Sequence, residues 1–253
     1  MMPDIVDFTL KDMVEVSAAL RSIGSGATSM EEVADKIVHY LYDHLTEKDG
    51  KGNACVLVRL FKTHSYAELD DNLQTFASGI MKASPVSREM KCLILLATAG
   101  MLPEWNSRKQ SAGHKAIPLP SEHFIEAFPM VRQLIQQLGL EVNTLLQPDP
   151  AVVVDMAQTT YNVFLIPDAV GSRYVPAQNE FVIPYKVQSV LGFGGILPSG
   201  NLFAVILFSK VKLSRQTADM FRSLALSVKI AILPFEGKAV FSHTHKQKRT
   251  DGG

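Results

Sequence analysis

Two stretches of this chain carry residue types suited to ligand chemistry. Ser107-Arg108-Lys109-Gln110-Ser111-Ala112-Gly113-His114-Lys115 is basic and holds no acid. Arg and Lys are the natural donors to carboxylate and phosphate. The segment therefore reads either as a solvated loop or as a lid over an anionic ligand or partner. It has no Gly-Lys-Ser/Thr ending, which excludes a Walker-type phosphate loop. Trp105, the only Trp, stands beside it and either anchors the loop on the core or lines a pocket with aromatic walls. Tyr161, Asn162, Arg173 and Tyr174 could supply the polar groups of such a pocket. The second stretch is Gly192-Phe193-Gly194-Gly195. A dinucleotide fingerprint needs G-x-G-x-x-G between a strand and a helix. Here a hairpin and another strand follow, so the glycines read as points of bending or close packing within a sheet.

The remaining reactive residues give no catalytic pattern. Seven histidines are present, and no H-E-x-x-H occurs among them. His39 and His44 are spaced five apart on a helical stretch and do not share a face. His64, His114 and His123 are candidates for a haem ligand, with a surface or hydrogen-bonded histidine as the plainer reading, and His243 and His245 fall in the tail. Cys55 and Cys92 lie in apolar runs without any Cys-x-x-Cys spacing, which disfavours a zinc site and a disulfide scaffold. They read as buried thiols in a reducing cytoplasm, since a nucleophilic thiol needs an electropositive, partly open setting. G-x-S-x-G is absent, and Asp70-Asp71 reads as a solvated pair on an exposed helix face. No nucleophile–base pair can be placed, so no catalytic residue and no metal ligand is assigned.

Apolar spacing indicates the elements that must position these groups. Residues 8–22 carry a partial helical stripe of Leu10, Met13, Val14 and Leu20. Ser29 opens a second helix, Glu32 completes a capping box, and Met30, Val33, Ala34, Ile37, Leu41 and Leu45 keep a helical period. Cys55–Leu60 reads as a valine-rich strand, Tyr66–Met81 as a helix and Lys91–Ala99 as a buried strand. Gly100–Pro120 has no period and reads as a long loop. Ser121 caps a short helix, and Pro129 begins a stronger one that Gly139 ends. Pro148–Asp155 and Tyr161–Ile166 are apolar but ambiguous, and Pro167–Pro184 is turn-rich. Ser189–Leu197 and Leu202–Lys210 read as strands joined by Pro198-Ser199-Gly200-Asn201, a hairpin signal. Ser214 caps a last helix that Pro234 stops. This order predicts the α+β class, an antiparallel sheet with helices on one side.

Composition narrows the classes further. Of 253 residues, 47% are hydrophobic and 20% charged, enough for a sizeable core and unlike a disordered chain. Lys+Arg and Asp+Glu are 25 each, which argues against a basic nucleic-acid binder. The zero hides a gradient. Residues 1–49 hold 4 cations and 10 acids, whereas residues 186–229 hold 6 cations and 1 acid. Met1–Asp12 lacks the apolar core of a secretory signal. Cys92–Ala97 and Leu202–Phe208 fall far short of the ~20 residues that span a bilayer. The expectation is a cytoplasmic protein with neither membrane nor nucleic acid as partner.

The last third resembles the end of a GAF domain. Ser189-Val190-Leu191-Gly192-Phe193-Gly194-Gly195, Gly200-Asn201-Leu202 through Phe208, and the Ser214–Leu233 helix match that family's strand, Gly-rich hairpin, second strand and closing helix. The opening helices and first strand fit the same order, so the resemblance covers 10–235 loosely. Phe61-Lys62-Thr63-His64, Pro118-Leu119-Pro120-Ser121-Glu122, Tyr161-Asn162-Val163-Phe164 and Leu191-Gly192-Phe193-Gly194-Gly195 are also similar to sensor regions upstream of bacterial histidine kinases. The resemblance implies one GAF-like domain over 1–237, with terminal helices on one side of the sheet and inserts at 100–120 and 167–184 over the other. A flexible basic tail would follow at 238–253. It implies a pocket between sheet and inserts, adding His114 and Phe193 to the residues named above, with haem or a small metabolite as candidate ligand. It implies a non-enzymatic bacterial signalling module of the two-component kind, a homodimer through its terminal helices that signals to a separate kinase or other output protein. The alternative is a ligand-free interaction or dimerisation module of the same fold. In either case the acidic opening helices and basic closing helix would share one side of the sheet, where opposite charge favours their contact.

Overall fold

A computed structural model describes residues 2–50, 52–82, 86–111, 113–147, 153, 161–175 and 177–242. Its strands are β1 (Cys55–Ser65), β2 (Lys91–Gly100), β3 (Ala116–Leu119), β4 (Tyr161–Ile166), β5 (Ser189–Ile196) and β6 (Leu202–Ser209). They form one antiparallel sheet in the order β3-β2-β1-β6-β5-β4. The helices are α1 (Leu10–Ser22), α2 (Met30–His44), α3 (Asp71–Met81), α4 (Glu122–Ile125), α5 (Pro129–Gln137), α6 (Val142–Leu146), α7 (Arg215–Met220) and α8 (Arg222–Ile232). The α+β class expected from the element order is the class observed.

The sheet carries a core on each face. On the first, Val58, Leu60, Phe193 and Phe203 meet the apolar stripes of α1, α2, α3 and α8. On the second, Phe61, Leu95, Phe164 and Ile206 meet α5, α6 and the connecting segments around Trp105 and Phe181. A strand covered on both faces reads as a continuous apolar run instead of an alternation. β5 and β6 accordingly are buried at every position.

Several expectations need correction. The loop expected over 100–120 contains a 3-10 turn, Pro103–Asn106, and the strand β3. Pro118 pairs opposite Cys92 there, and a strand Pro without an N–H is tolerated because β3 is an edge. β1 runs on through the polar Lys62-Thr63-His64-Ser65, since β2 continues to pair with it as far as Ser65. The helix expected over Tyr66–Met81 is a 3-10 turn followed by α3. Asp70 is its N-cap, accepting from the Leu73 N–H at 2.9 Å, and is therefore not a merely solvating carboxylate. Glu32 reaches one residue beyond its expected partner: it accepts from Thr28 N–H at 2.8 Å, while a complete capping box forms instead at Thr9 and Asp12 of α1. The closing helix breaks at Phe221, whose ring is buried against Phe8 and Phe193. α6 has no counterpart in the sequence reading. Of Pro148–Asp155 only Val153 lies within the described residues, and His243 and His245 lie outside them.

The segment after Lys238 is bonded to the domain over its first residues. Met30 N–H donates to Ala239 O at 2.8 Å and Glu31 N–H to Val240 O at 2.9 Å. Ser29 and Ser242 hydroxyls lie 2.8 Å apart. The returning chain thus satisfies free N–H groups of the first turn of α2.

The hairpin depends on a bare backbone at Gly194. A Cβ there would stand 2.1 Å from Phe203 O, a main-chain atom of β6 that cannot give way. Gly194→Ala is expected to cost at least about 2–3 kcal/mol. Gly79→Ala, on the exposed face of α3 with open space around it, is expected to gain about 0.5–1 kcal/mol. Urea melts of the two variants check this, and shifts of the same sign would remove the close-approach account.

Candidate functional site

The alternation of β1 places Arg59 between Leu57 and Phe61, on the second face. Thr98 of β2 stands directly opposite it. Residues 107–111 of the loop lie above it, folded back by bonds from Gln110 and Ser111 N–H to Ser107 O. Arg59 Nη2 donates to Ser111 Oγ at 3.1 Å, and Ser111 Oγ in turn donates to Gly113 O at 3.4 Å. Two atoms are left over. Among the described residues, Arg59 Nε and Thr98 Oγ1 are sealed from solvent and have no hydrogen-bond partner. Nor does any described carboxylate form an ion pair with Arg59. Burial pushes its pKa down to about 10, so it remains a cation at neutral pH. Arg59 as a whole is part-exposed, so solvent still screens some of its charge; the cost falls on the Nε edge, which has lost water without gaining a partner.

Arg108, in the same loop, shows the opposite situation. Its Nε and Nη2 donate to the two oxygens of Glu31 at 2.6 and 3.0 Å. Asp70 stands 3.9 Å away, and the Phe241 ring lies 5.2 Å below the guanidinium. Glu31 also accepts from Ser242 N–H at 2.9 Å. One short loop therefore touches both the part-buried Arg59 and the junction where α2 meets residues 239–242.

The seven expected pocket residues do not come together. Trp105 and Tyr174 belong to the second face, and Trp105 packs on Tyr185 and Phe181 with centroids 4.8 and 5.6 Å apart. Arg173 donates to its neighbour Tyr174 Oη at 2.8 Å. His114 is exposed in the loop in a left-handed conformation, φ 58°. Asn162 Oδ1 accepts from Val163 N–H on the edge strand. Tyr161 and Phe193, however, face the first core, with Tyr161 under Lys229 and Phe193 wholly buried against Phe221. The sheet itself separates these two from Trp105. The sequence reading missed Arg59 and Thr98, whereas Ser111 lies in the segment it named as a solvated loop or a lid. The available signal was one cation inside the apolar run Val56-Leu57-Val58-Arg59-Leu60-Phe61.

A second polar cluster sits at the far end of β1, on the first face. Lys62 is 1% exposed. Its Nζ donates to Thr63 O at 3.0 Å and lies 3.4 Å from His64 Nδ1. His64 Nε2 lies 3.4 Å from Glu68. Burial, partly offset by Glu236, pushes Lys62 down to about 8; burial and the Lys62 charge push His64 down to about 4. A neutral His64 thus accepts from the ammonium at Nδ1 and presents its Nε2–H to Glu68. Both thiols are buried, which pushes Cys55 and Cys92 up to about 12 and leaves them unreactive at neutral pH. A cleft of about 200 Å³ between the first residues, α1 and α2 is lined by Pro3, Glu15, Tyr40 and His44, none of them an expected pocket residue.

Among the described residues no His/Cys/Asp/Glu group gathers as a metal site would, and no helix is long and apolar enough to cross a membrane. No family model matches the chain, and no curated protein matches it.

Two outcomes follow from this geometry. Thr98→Val removes an unpaired buried hydroxyl and is expected to leave stability unchanged or raise it by about 1 kcal/mol; a loss of that size in denaturant melts would mean that the hydroxyl has a partner. His64 titrates near 4 when folded and near 6.5 when unfolded, so the unfolded chain binds the extra proton between these values. Stability should fall as pH drops from 6.5 to 4, and His64→Gln should flatten that part of the profile.

Proposed function

We propose that this chain is a non-enzymatic signalling module of GAF-like fold, working in the bacterial cytoplasm. It binds a small ligand on the insert-covered face and passes its bound state to a kinase or other output partner. One observation carries this reading: loop 107–115 bridges the unsatisfied Arg59 and the Arg108–Glu31–Ser242 junction. A ligand that draws the loop off Arg59 also moves Arg108. The contact between α2 and residues 239–242 then changes with occupancy. Such a shift requires the ligand to bind one loop position better than the other.

The terminal helices suit contact with a second copy. α1 lies against α8, and both leave apolar residues in solvent. Leu10 and Val14 are 69% and 57% exposed, and Leu226 and Ile230 each 43%. Their i, i+4 spacing makes a stripe on each helix. An antiparallel pair of chains would bring the acidic opening half of one to the basic closing half of the other. The same stripe supports a second reading, a dimerisation module without ligand, because it does not depend on the loop.

Two measurements separate the readings. Light scattering should give a dimer that Leu226→Glu with Ile230→Glu converts to monomer and that weakens in high salt; an unchanged dissociation constant in salt removes the charge contribution. Thermal shifts against cyclic nucleotides, haem and small metabolites should yield a stabilising ligand that alters amide exchange at both 107–115 and 239–242. Binding with unchanged exchange at 239–242 would remove the proposed route. A dimer that no compound stabilises would favour the interaction module.

A further inference from the structure

We propose that the ligand taken beneath loop 107–115 is a small anion offering two oxygens, a carboxylate or a phosphoryl group, held on the Nε–Nη2 edge of Arg59 with Thr98 Oγ1 as a third donor. This rests on the ligand-binding reading above and adds the chemistry of the ligand.

The argument begins with the guanidinium. Its Nε and Nη2 point the same way and match the two oxygens of a carboxylate or phosphoryl group. Arg108 shows that edge filled by Glu31, with one oxygen on each nitrogen. On Arg59 the same edge is half empty. Nη2 holds the neutral hydroxyl of Ser111 and Nε holds nothing. A hydroxyl cannot serve both nitrogens, and it brings no charge to offset the part-buried cation. An oxyanion does both, replacing one bond to a neutral acceptor with two between opposite charges.

Thr98 adds a second, independent sign. It is wholly buried and directly opposite Arg59 in the β1–β2 register, and its hydroxyl is also without a partner. A natural core seldom leaves a polar atom unpaired without a reason. Two such atoms at one cross-strand position, both able to donate, call for an acceptor between them. The surrounding loop favours the same sign of charge: Arg108, Lys109 and Lys115 are cationic, and residues 107–115 include no acid. Two residues along β2 from Thr98, on the same face, the Trp105 ring closes on Gly100, its Cε3 3.1 Å from where a Cβ would stand. That wall suits a short apolar body behind the anionic head. Entry requires Ser111 to release Arg59, since Nε is sealed in this state.

The test uses the whole chain at constant ionic strength. Sodium acetate, sodium propionate and inorganic phosphate are titrated by calorimetry and thermal shift against sodium chloride, with propionamide and the neutral metabolite panel as uncharged probes. A carboxylate or phosphate should raise the melting temperature and bind where propionamide does not, and the stronger of the two names the source. Arg59→Met, which keeps the length of the side chain and removes both donors of the edge, should weaken that binding at least tenfold. Thr98→Val, isosteric and apolar, should weaken it several-fold and carries the test should Arg59→Met misfold. Equal stabilisation by chloride, equal binding of propionamide, or binding intact in both variants would overturn the proposal. A neutral metabolite that binds and protects 107–115 while every anion fails would overturn it too, yet leave the ligand-binding reading standing. Failure of all compounds would remove both.

Discussion

Every side chain on the middle of β1 points into a core, because the strand is paired to β2 and β6 and covered on both faces. Water is therefore scarce for whatever the sequence places there, although Arg59 keeps partial exposure. Apolar residues gain from this by about 25 cal/mol per Å² buried. Polar residues lose unless a partner replaces their water. Before Ser65 at its end, this strand carries four of them, Arg59, Lys62, Thr63 and His64. Thr63 is the simplest solution: its Oγ1 accepts from Leu202 N–H at 2.9 Å and ties β1 to the start of β6. Lys62 and His64 serve each other. Arg59 is incompletely served, and the candidate site is built around that deficit.

The position of the loop follows from the same sheet. β2 ends at Gly100 and β3 returns beside it, so residues 101–115 must cross the end of the second face. Asn106 holds the turn by exchanging bonds with Gly100, each at 3.0 Å. From there the chain is short, and its two arginine contacts are forced apart. Ser111 meets Arg59 over the sheet, while Arg108 reaches Glu31 at the beginning of α2. The charge gradient is partly expressed here, though not between the helices first suspected. The described ion pairs on α1 and on α7–α8 stay within each helix region: Lys11 with Glu15, Arg215 and Arg222 with Asp219. The acidic opening half instead engages Arg108 of the loop and, at Glu47, Lys210 beyond β6. Exposed pairs contribute only about 0–1 kcal/mol, so the two-pronged Glu31–Arg108 contact, which is largely buried, matters more to placement than the gradient does.

Helices were legible where one stripe met one core. α2 is the clearest case, with Met30, Val33, Ala34, Ile37 and Leu41 all buried. The β5–β6 hairpin was legible because its turn residues and close-packed glycines have local causes. β3 was not, since four residues with a central proline have no period to detect. The site was less legible than the fold for a different reason. Aromatic and polar residues near the inserts were grouped by type, but strand alternation decides which face each side chain reaches. Phe193 and Tyr161 fell on the wrong face for a pocket with Trp105. Arg59 and Thr98 become neighbours only through the β1–β2 register, which no local spacing encodes. Their local context, two polar residues in apolar strands, marks each as odd without pairing them.

Arg59 and Lys62 are three residues apart on opposite faces of one strand, and they resolve burial in different ways. An ammonium can give up its proton, and Lys62 has moved in that direction, to about 8, with His64 and Thr63 O as neutral acceptors. Its cluster is closed without an added ion. A guanidinium spreads its charge over three nitrogens and keeps it; even at about 10 Arg59 is charged at any pH at which the protein works. On the first face neutral acceptors serve a lysine that stays largely protonated at neutral pH, whereas on the second face Arg59 keeps its charge with Nε unpartnered. Glu31, the nearest example of how such charge is supplied, is already committed to Arg108 and Ser242. An anion of the proposed kind would complete the Nε edge of Arg59 from outside the described residues, and the loop that would admit it is the one that holds Glu31.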